Sequence, residues 1–158
     1  HIFVEVLTPD FKGDEAALKV VLDAGPDIFN HNLETAPSLY KIVRPQADYR
    51  RSLKVLSRAK SSGVLTKSGI MAGLGETKDE VKTVLKDLLN SGVDAVTIGQ
   101  YLRPTRDNLE VKEYIHPDVF KEYEEFGREI GIKRIYSGPF VMSSYNAGDL
   151  YKGMSAGD

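Results

Sequence analysis

The chain has 158 residues, enough for one domain with a buried core. Hydrophobic residues make up 41% and charged residues 28%, an ordinary globular composition that suggests neither a disordered chain nor a membrane span. A net charge of -2, with acids and bases interspersed and no basic stripe, speaks against nucleic acid as a partner, and the absence of cysteine excludes disulfides, Cys-ligated zinc and a thiolate nucleophile from these residues.

Ile2 to Leu7 is a β-branched and aromatic run that predicts a buried strand immediately after His1, with no initiator Met before it. A strand placed there predicts that the chain is the C-terminal part of a longer protein, whose first half pairs with the open edge. Gly13-Asp14 opens a helix carrying Ala17, Leu18, Val21 and Leu22 at helical spacing, stopped by Gly25-Pro26. Asp27 to Asn30 is a short strand running into the polar cluster His31 to Thr35. The stretch Ala36 to Gln46 predicts an irregular loop with one helical turn around Leu39 to Ile42. Asp48 caps a helix that carries Leu53, Leu56 and Ala59 and ends near Ser62-Gly63.

Thr66 to Glu76 passes from an apolar run into a loop with three glycines ending on a carboxylate. Thr77 and Glu80 then have capping-box spacing at the head of a helix with Val81, Val84, Leu85, Leu88 and Leu89 on one face. Ala95 to Gly99 is the next strand and Gln100 to Arg106 its exit loop. A helix over 117–130 buries Val119, Phe120, Tyr123, Phe126 and Ile130, and Ile135-Tyr136 makes a last strand. Alternating strands and helices predict parallel βα units, and part of a (β/α) barrel is favoured over a complete doubly wound sheet. The loops at Pro9-Asp10, Asn30 to Thr35, Gly73 to Glu76 and Gln100 to Arg106 are expected to converge on one site.

Asn30, Asn32 and Glu34, with His31 among them, suit the hydroxyls of a ribose or other polyol, or else form a polar loop capping a neighbouring helix. His31 reads as a structural hydrogen-bonder, because no second His or Cys stands at ligand spacing. Lys67 has two open readings: a Schiff-base lysine, or a lysine paired with Glu5 or Glu34. Tyr101, Arg103 and Arg106 either meet an anionic or peptide ligand or form a solvated rim, and Ser143-Ser144-Tyr145 reads as a polar tail.

Several stretches together resemble the lipoyl synthase family of the radical S-adenosylmethionine (SAM) superfamily. They are Val4 to Phe11, Asn30 to Thr35, Arg44-Pro45, Ala47 to Tyr49, Thr66 to Gly69, Gly73 to Thr77, Thr97 to Leu102 and Ser143 to Tyr145, in the family's order. The resemblance implies part of a partial TIM-type (β/α)6 barrel of parallel strands in residues 1–138. Residues 139–158 would be a C-terminal extension covering the cluster and substrate face. It implies a sulfurtransferase that inserts two sulfur atoms, at carbons six and eight, into an octanoyl group on a lipoyl carrier protein or lipoyl domain. The cofactors implied are SAM and two 4Fe-4S clusters, one cleaving SAM to a 5'-deoxyadenosyl radical and one giving up its sulfur.

In that family the six ligating cysteines lie in the N-terminal half, so this portion alone is expected to be inactive and to need that half as partner. The resemblance sets Asn30, Asn32, Glu34, Lys67, Gly69, Met71, Gly73, Gly75, Glu76 and Gln100 as cofactor-binding residues and Ser144 as a ligand of the auxiliary cluster. Met142 stands where the family has Arg, Gln46 where it has Gly, and Asn108 and Glu110 where it has His and Pro. Such an enzyme is expected in the cytoplasm, or in a mitochondrion or plastid of a eukaryote, without a membrane segment. The alternatives from the residues themselves are an unrelated barrel enzyme using Lys67 as a Schiff base, and a non-catalytic SAM-binding module.

Overall fold

The computed structural model describes residues 2–145 and 148. Five parallel strands, β1 (Glu5–Leu7), β2 (Ile28–Asn30), β3 (Leu65–Ala72), β4 (Ala95–Gln100) and β5 (Arg134–Gly138), lie side by side in chain order. That order decides the architecture. A doubly wound sheet reverses direction at a switch point and covers both faces with helices, whereas right-handed crossovers that always step the same way keep the helices on one side. The sheet is therefore an arc of a (β/α) barrel, and its concave face is left to the strand side chains.

The helices are α1 (Glu15–Asp23), the single turn α2 (Tyr40–Val43), α3 (Tyr49–Ser61), α4 (Lys78–Asn90) and α5 (Pro117–Glu129). Their starts are local in origin. Asp14 accepts from the amides of Ala16 and Ala17, Asp48 from that of Arg51 at 2.7 Å, and Thr77 and Glu80 bond each other's amides at 3.2 and 2.7 Å. The main core lies between α3 to α5 and the sheet. Leu56, Val84, Leu85, Leu88 and Phe120 pack there against Ile70, Val96, Ile98 and Ile135. A smaller cluster of Leu18, Phe29, Val55 and Ala59 fills the space beneath α1 and α3. Because side chains alternate along a strand, Ile70 and Ala72 join the core while Lys67, Gly69 and Met71 turn to the concave face.

Two expectations need correction. Residues 2–7 do not form a buried strand: β1 is only Glu5–Leu7, and Ile2 is 86% exposed and Leu7 61%. The reason is register, since β2 begins at Ile28 opposite Glu5 and its ladder runs only along Glu5 to Leu7, while the far edge of β1 has no strand beside it among the described residues. The glycine loop is also shorter than expected. Residues 65–72 are all strand, held by β2 and Glu34 on one side and β4 on the other, and only Gly73 and Gly75, at φ 100° and 115°, make the turn. Past residue 138 the chain turns back over the end of β4. The rest of the predicted tail, including most of 146–158, lies outside the described residues.

Candidate functional site

A cavity of about 440 Å³ opens at the C-terminal ends of the strands. Asn32 and Glu34 form one side, Gly69, Met71, Thr97 and Gly99 the floor, and the segment from Pro139 to Ser143 the other side. Glu34 reaches its place by an unusual backbone. At φ 68° it is a non-glycine residue in the left-handed region, pinned because its amide donates to the Gly69 carbonyl at 3.0 Å and its own carbonyl accepts from Met71 at 2.8 Å. Such a conformation costs about 1–3 kcal/mol and tends to occur where function constrains the chain. Arg44 braces the segment from outside, donating to the carbonyls of Asn32 and Leu33 at 2.9 and 3.3 Å.

Burial raises the Glu34 carboxyl above its usual range, opposed by the Arg44 charge and by a hydrogen bond from Asn32. Asn32 itself is 8% exposed, and its Oδ1 has no hydrogen-bond partner. A buried acceptor left bare costs about 1–3 kcal/mol. Gly69 is open beneath it because a Cβ there would stand 2.9 Å from Asn32 Oδ1 and 2.8 Å from Thr97 Oγ1. The site thus joins an unsatisfied acceptor, an anionic or neutral carboxyl and a floor without side chain, a combination that accepts O–H and N–H donors from a flat polar ligand.

Of the residues singled out in the sequence, Asn32, Glu34, Gly69, Met71 and Gln100 border this cavity. Asn30 and Lys67 sit deeper on the concave face. Lys67 is fully buried and donates to both carboxylate oxygens of Glu5 at 3.0 and 3.1 Å, and Asn30 adds a bond to Glu5 at 2.7 Å. Of its two readings the pair with Glu5 is the one formed, and an ammonium so enclosed has no path to a carbonyl substrate. Gly73, Gly75 and Glu76 form the adjoining loop, where the Glu76 carboxylate accepts from the amides of Gly73 and Leu74 at 2.6 and 3.0 Å. Gln100 is a clamp as well: its Nε2 donates to the Tyr101 and Glu113 carbonyls and its Oε1 accepts from Ile115, all within 3.0 Å. Ser144 is exposed, one residue beyond the cavity-lining Ser143.

The strand-end loops do not all meet in one place. Pro9 to Asp14 instead faces Arg44 to Ala47 across a separate cavity of about 690 Å³. Between the two, His31 is 1% exposed, and its Nδ1–H donates to the Thr8 carbonyl at 2.8 Å, leaving Nε2 buried without a partner. Burial pushes its pKa down, with the Arg44 charge helping and the Thr8 bond and the Asp10 charge opposing. Arg103 is tied to the carbonyls of Arg106 and Asn108 within its own exposed loop, whereas Tyr101 fits neither reading: it is buried, and its hydroxyl donates to the Leu109 carbonyl at 2.9 Å. Thr97 was not legible as a site residue, and residues 139–141 were expected only as part of an extension over the cluster and substrate face, with no position against β4. The one signal was Gly99, on the same face of β4 as Thr97.

The family description for the radical SAM superfamily matches residues 1–100 of the chain. The chain belongs to the radical SAM superfamily. It is 53% identical over 151 residues to a lipoyl synthase of Nitratidesulfovibrio vulgaris (strain Hildenborough), which covers 96% of this chain and 51% of that protein. It is 57% identical over 146 residues to a lipoyl synthase of Rubrobacter xylanophilus, covering 91% of this chain and 46% of that one. The radical SAM chain thus spans about half the length of the curated relatives it matches.

Among solved structures, a domain of pyruvate-formate lyase-activating enzyme from Bacteroides vulgatus aligns with a TM-score of 0.63 at 12% identity, over 86% of this chain and 82% of that one. Elp3 of the archaeon Methanocaldococcus infernus aligns at 0.65 and 14%, over 98% and 42%. At such identities the likeness speaks to the fold alone, and it agrees with the partial barrel read from the strand order.

The superfamily implies SAM and 4Fe-4S chemistry, and the residues present fit the two groups differently. The bare Asn32 acceptor and the Gly69 floor suit a nucleoside with ribose hydroxyls and an amino group. The cluster has no cage here: the chain has no cysteine, and among the described residues no group of three His, Asp or Glu could hold a metal ion. No helix among the described residues is long and apolar enough to cross a membrane.

Proposed function

We propose that this chain is the C-terminal portion of a lipoyl synthase, acting on an octanoyl group carried by a lipoyl carrier protein or lipoyl domain. The observation that carries the proposal is identity of 53–57% over nearly the whole chain with relatives of that name, in a radical SAM fold whose strand ends enclose a polar cavity. In this reading Asn32 and Glu34 hold the ribose and amino acid ends of SAM, and Gly69 and Met71 line its bed. Glu76 and the glycines at 73 and 75 keep the loop beside it in shape, and Gln100 holds the segment near residue 113 against the strand end. Asn30 and Lys67 support the site from beneath, through Glu5. Ser144 is a ligand this portion offers to the auxiliary cluster. An oxygen ligand on iron is harder and more weakly held than a thiolate, which suits a cluster that gives up its sulfur.

When bound, SAM and a reduced 4Fe-4S cluster supply a radical able to take hydrogen from an unactivated carbon. The protein's part is to bind, to orient and to exclude water. The cysteines that hold both clusters belong to the N-terminal half, which is therefore the first partner of this portion.

The test joins this portion to its cysteine-bearing half. After anaerobic loading with iron and sulfide, and with SAM, a reductant and an octanoylated carrier supplied, 5'-deoxyadenosine and the lipoyl product are expected together. Deoxyadenosine without sulfur insertion would leave a radical SAM enzyme of another specificity. Gly69→Ala should weaken SAM binding about tenfold or more, because the new methyl meets Asn32 and Thr97. Ser144→Ala should lower the iron of the auxiliary cluster, and unchanged iron would remove that ligand.

A further inference from the structure

The cavity has a second wall that comes from beyond the barrel strands. After β5 the chain turns through Pro139 and Phe140, the Val141 amide donates to the Gly138 carbonyl at 3.1 Å, and the Val141 carbonyl then lies directly over Gly99 of β4. A Cβ on Gly99 would run into that carbonyl oxygen and carbon. Gly99 pairs with Met71 on one side and Gly138 on the other, so the strand cannot move aside to make room. Further along, the Tyr145 amide donates to the Met142 carbonyl at 2.9 Å. The Tyr145 ring meets Tyr136 of β5 edge-on, with centroids 5.8 Å apart. The segment is thus fixed at two points, a notch in β4 and an aromatic pair on β5.

We propose that Gly99 is a positioning residue. By leaving room for the Val141 carbonyl it seats residues 139–145 across the end of β4, makes them a wall of the ligand cavity and sets Ser143 and Ser144 at its rim. The phi angle does not require this glycine, since Gly99 is not among the residues at positive φ. Space is what it supplies, as Gly69 does for the ligand on the neighbouring strand. The wall it seats is apolar at Val141 and Met142, facing the polar side at Asn32 and Glu34. A ligand with one polar end and one aliphatic surface fits between them. This inference rests on the reading of the cavity as the SAM and substrate site.

The test uses the whole enzyme with its N-terminal half. In Gly99→Ala, the amides of Val141 and Tyr145 should exchange with deuterium about tenfold faster or more, before any cofactor is added. Auxiliary-cluster iron should fall in step, and SAM should bind more weakly. Should Gly99→Ala unfold the sheet, removing residues 141–158 from the same variant decides: with the Val141 carbonyl gone the new methyl has room, and the sheet should fold as it does in the truncated enzyme that keeps Gly99. A sheet that Gly99→Ala unfolds equally with and without residues 141–158, or a folded Gly99→Ala with wild-type exchange over 139–145, overturns the proposal. Because exchange is read without cofactor, loss of the Ser144 assignment and loss of this inference are distinguishable: Ser144→Ala leaves the seating of Val141 on Gly99 intact.

Discussion

Lys67 of β3 and Glu5 of β1 meet across β2, the ammonium donating to both carboxylate oxygens at 3.0 and 3.1 Å on the concave face of the sheet. Their side chains are 0% and 19% exposed, so this pair is largely out of water, and Asn30 of the strand between them adds a third bond. The pair ties the edge strand to the centre of the arc beneath the cavity.

Lys67→Met leaves Glu5 with a buried charge supported only by Asn30. The cost of breaking such a pair is about 3–5 kcal/mol, and the partial exposure of Glu5 puts the expectation near the lower end. Denaturant unfolding of the whole protein measures it. The double variant Lys67→Met with Glu5→Gln should recover much of the loss, since the uncompensated charge is then gone. Borohydride with carbonyl substrates should leave Lys67 unlabelled. A labelled Lys67 would mean that the ammonium leaves Glu5 and would restore the Schiff-base reading.

Glu76 closes its own loop through the amides of Gly73 and Leu74. Glu76→Ala strands both donors at a cost of about 1–3 kcal/mol felt locally, so hydrogen exchange over 73–77 should quicken in the protein free of ligand. A residue that acted only by touching the ligand would leave that exchange unchanged until ligand was added, and the comparison therefore tells the two roles apart.

His31 makes stability sensitive to acid. Its folded pKa lies below the ordinary value because burial disfavours the imidazolium, so on acidification the unfolded chain takes up a proton that the folded chain refuses. The stability this represents is complete above the unfolded pKa of about 6.5 and is lost as the pH falls through the lower folded value. His31→Asn can still donate to the Thr8 carbonyl but cannot titrate. Between about pH 7.5 and pH 5.5, the unfolding midpoint of the wild type should fall further than that of the variant. Equal falls would mean that His31 does not titrate on unfolding.

The helix starts at Asp14, Asp48 and Thr77 were legible because a cap and the amides it serves lie within three residues of each other. The barrel itself was legible from the alternation of elements. The extent of β1 was not, because it depends on where β2, more than twenty residues away, begins. Gly69 looked like a loop glycine beside Gly73 and Gly75. Its strand position, and its reason for being glycine, come from Asn32 and Thr97, which reach it only after three strands have paired.

By itself, then, the sequence determined the parallel βα order, the caps and the polar run from Asn30 to Glu34, all properties of short stretches with their own periodicity and hydrogen-bond chemistry. Its motifs, in their order, also pointed to the family. Tertiary structure alone decided that Lys67 is spent on Glu5, that Glu76 and Gln100 clamp backbone, and that the tail crosses β4 at Gly99. Each of those outcomes depends on which residues of distant strands come to lie side by side, and strand register sets that.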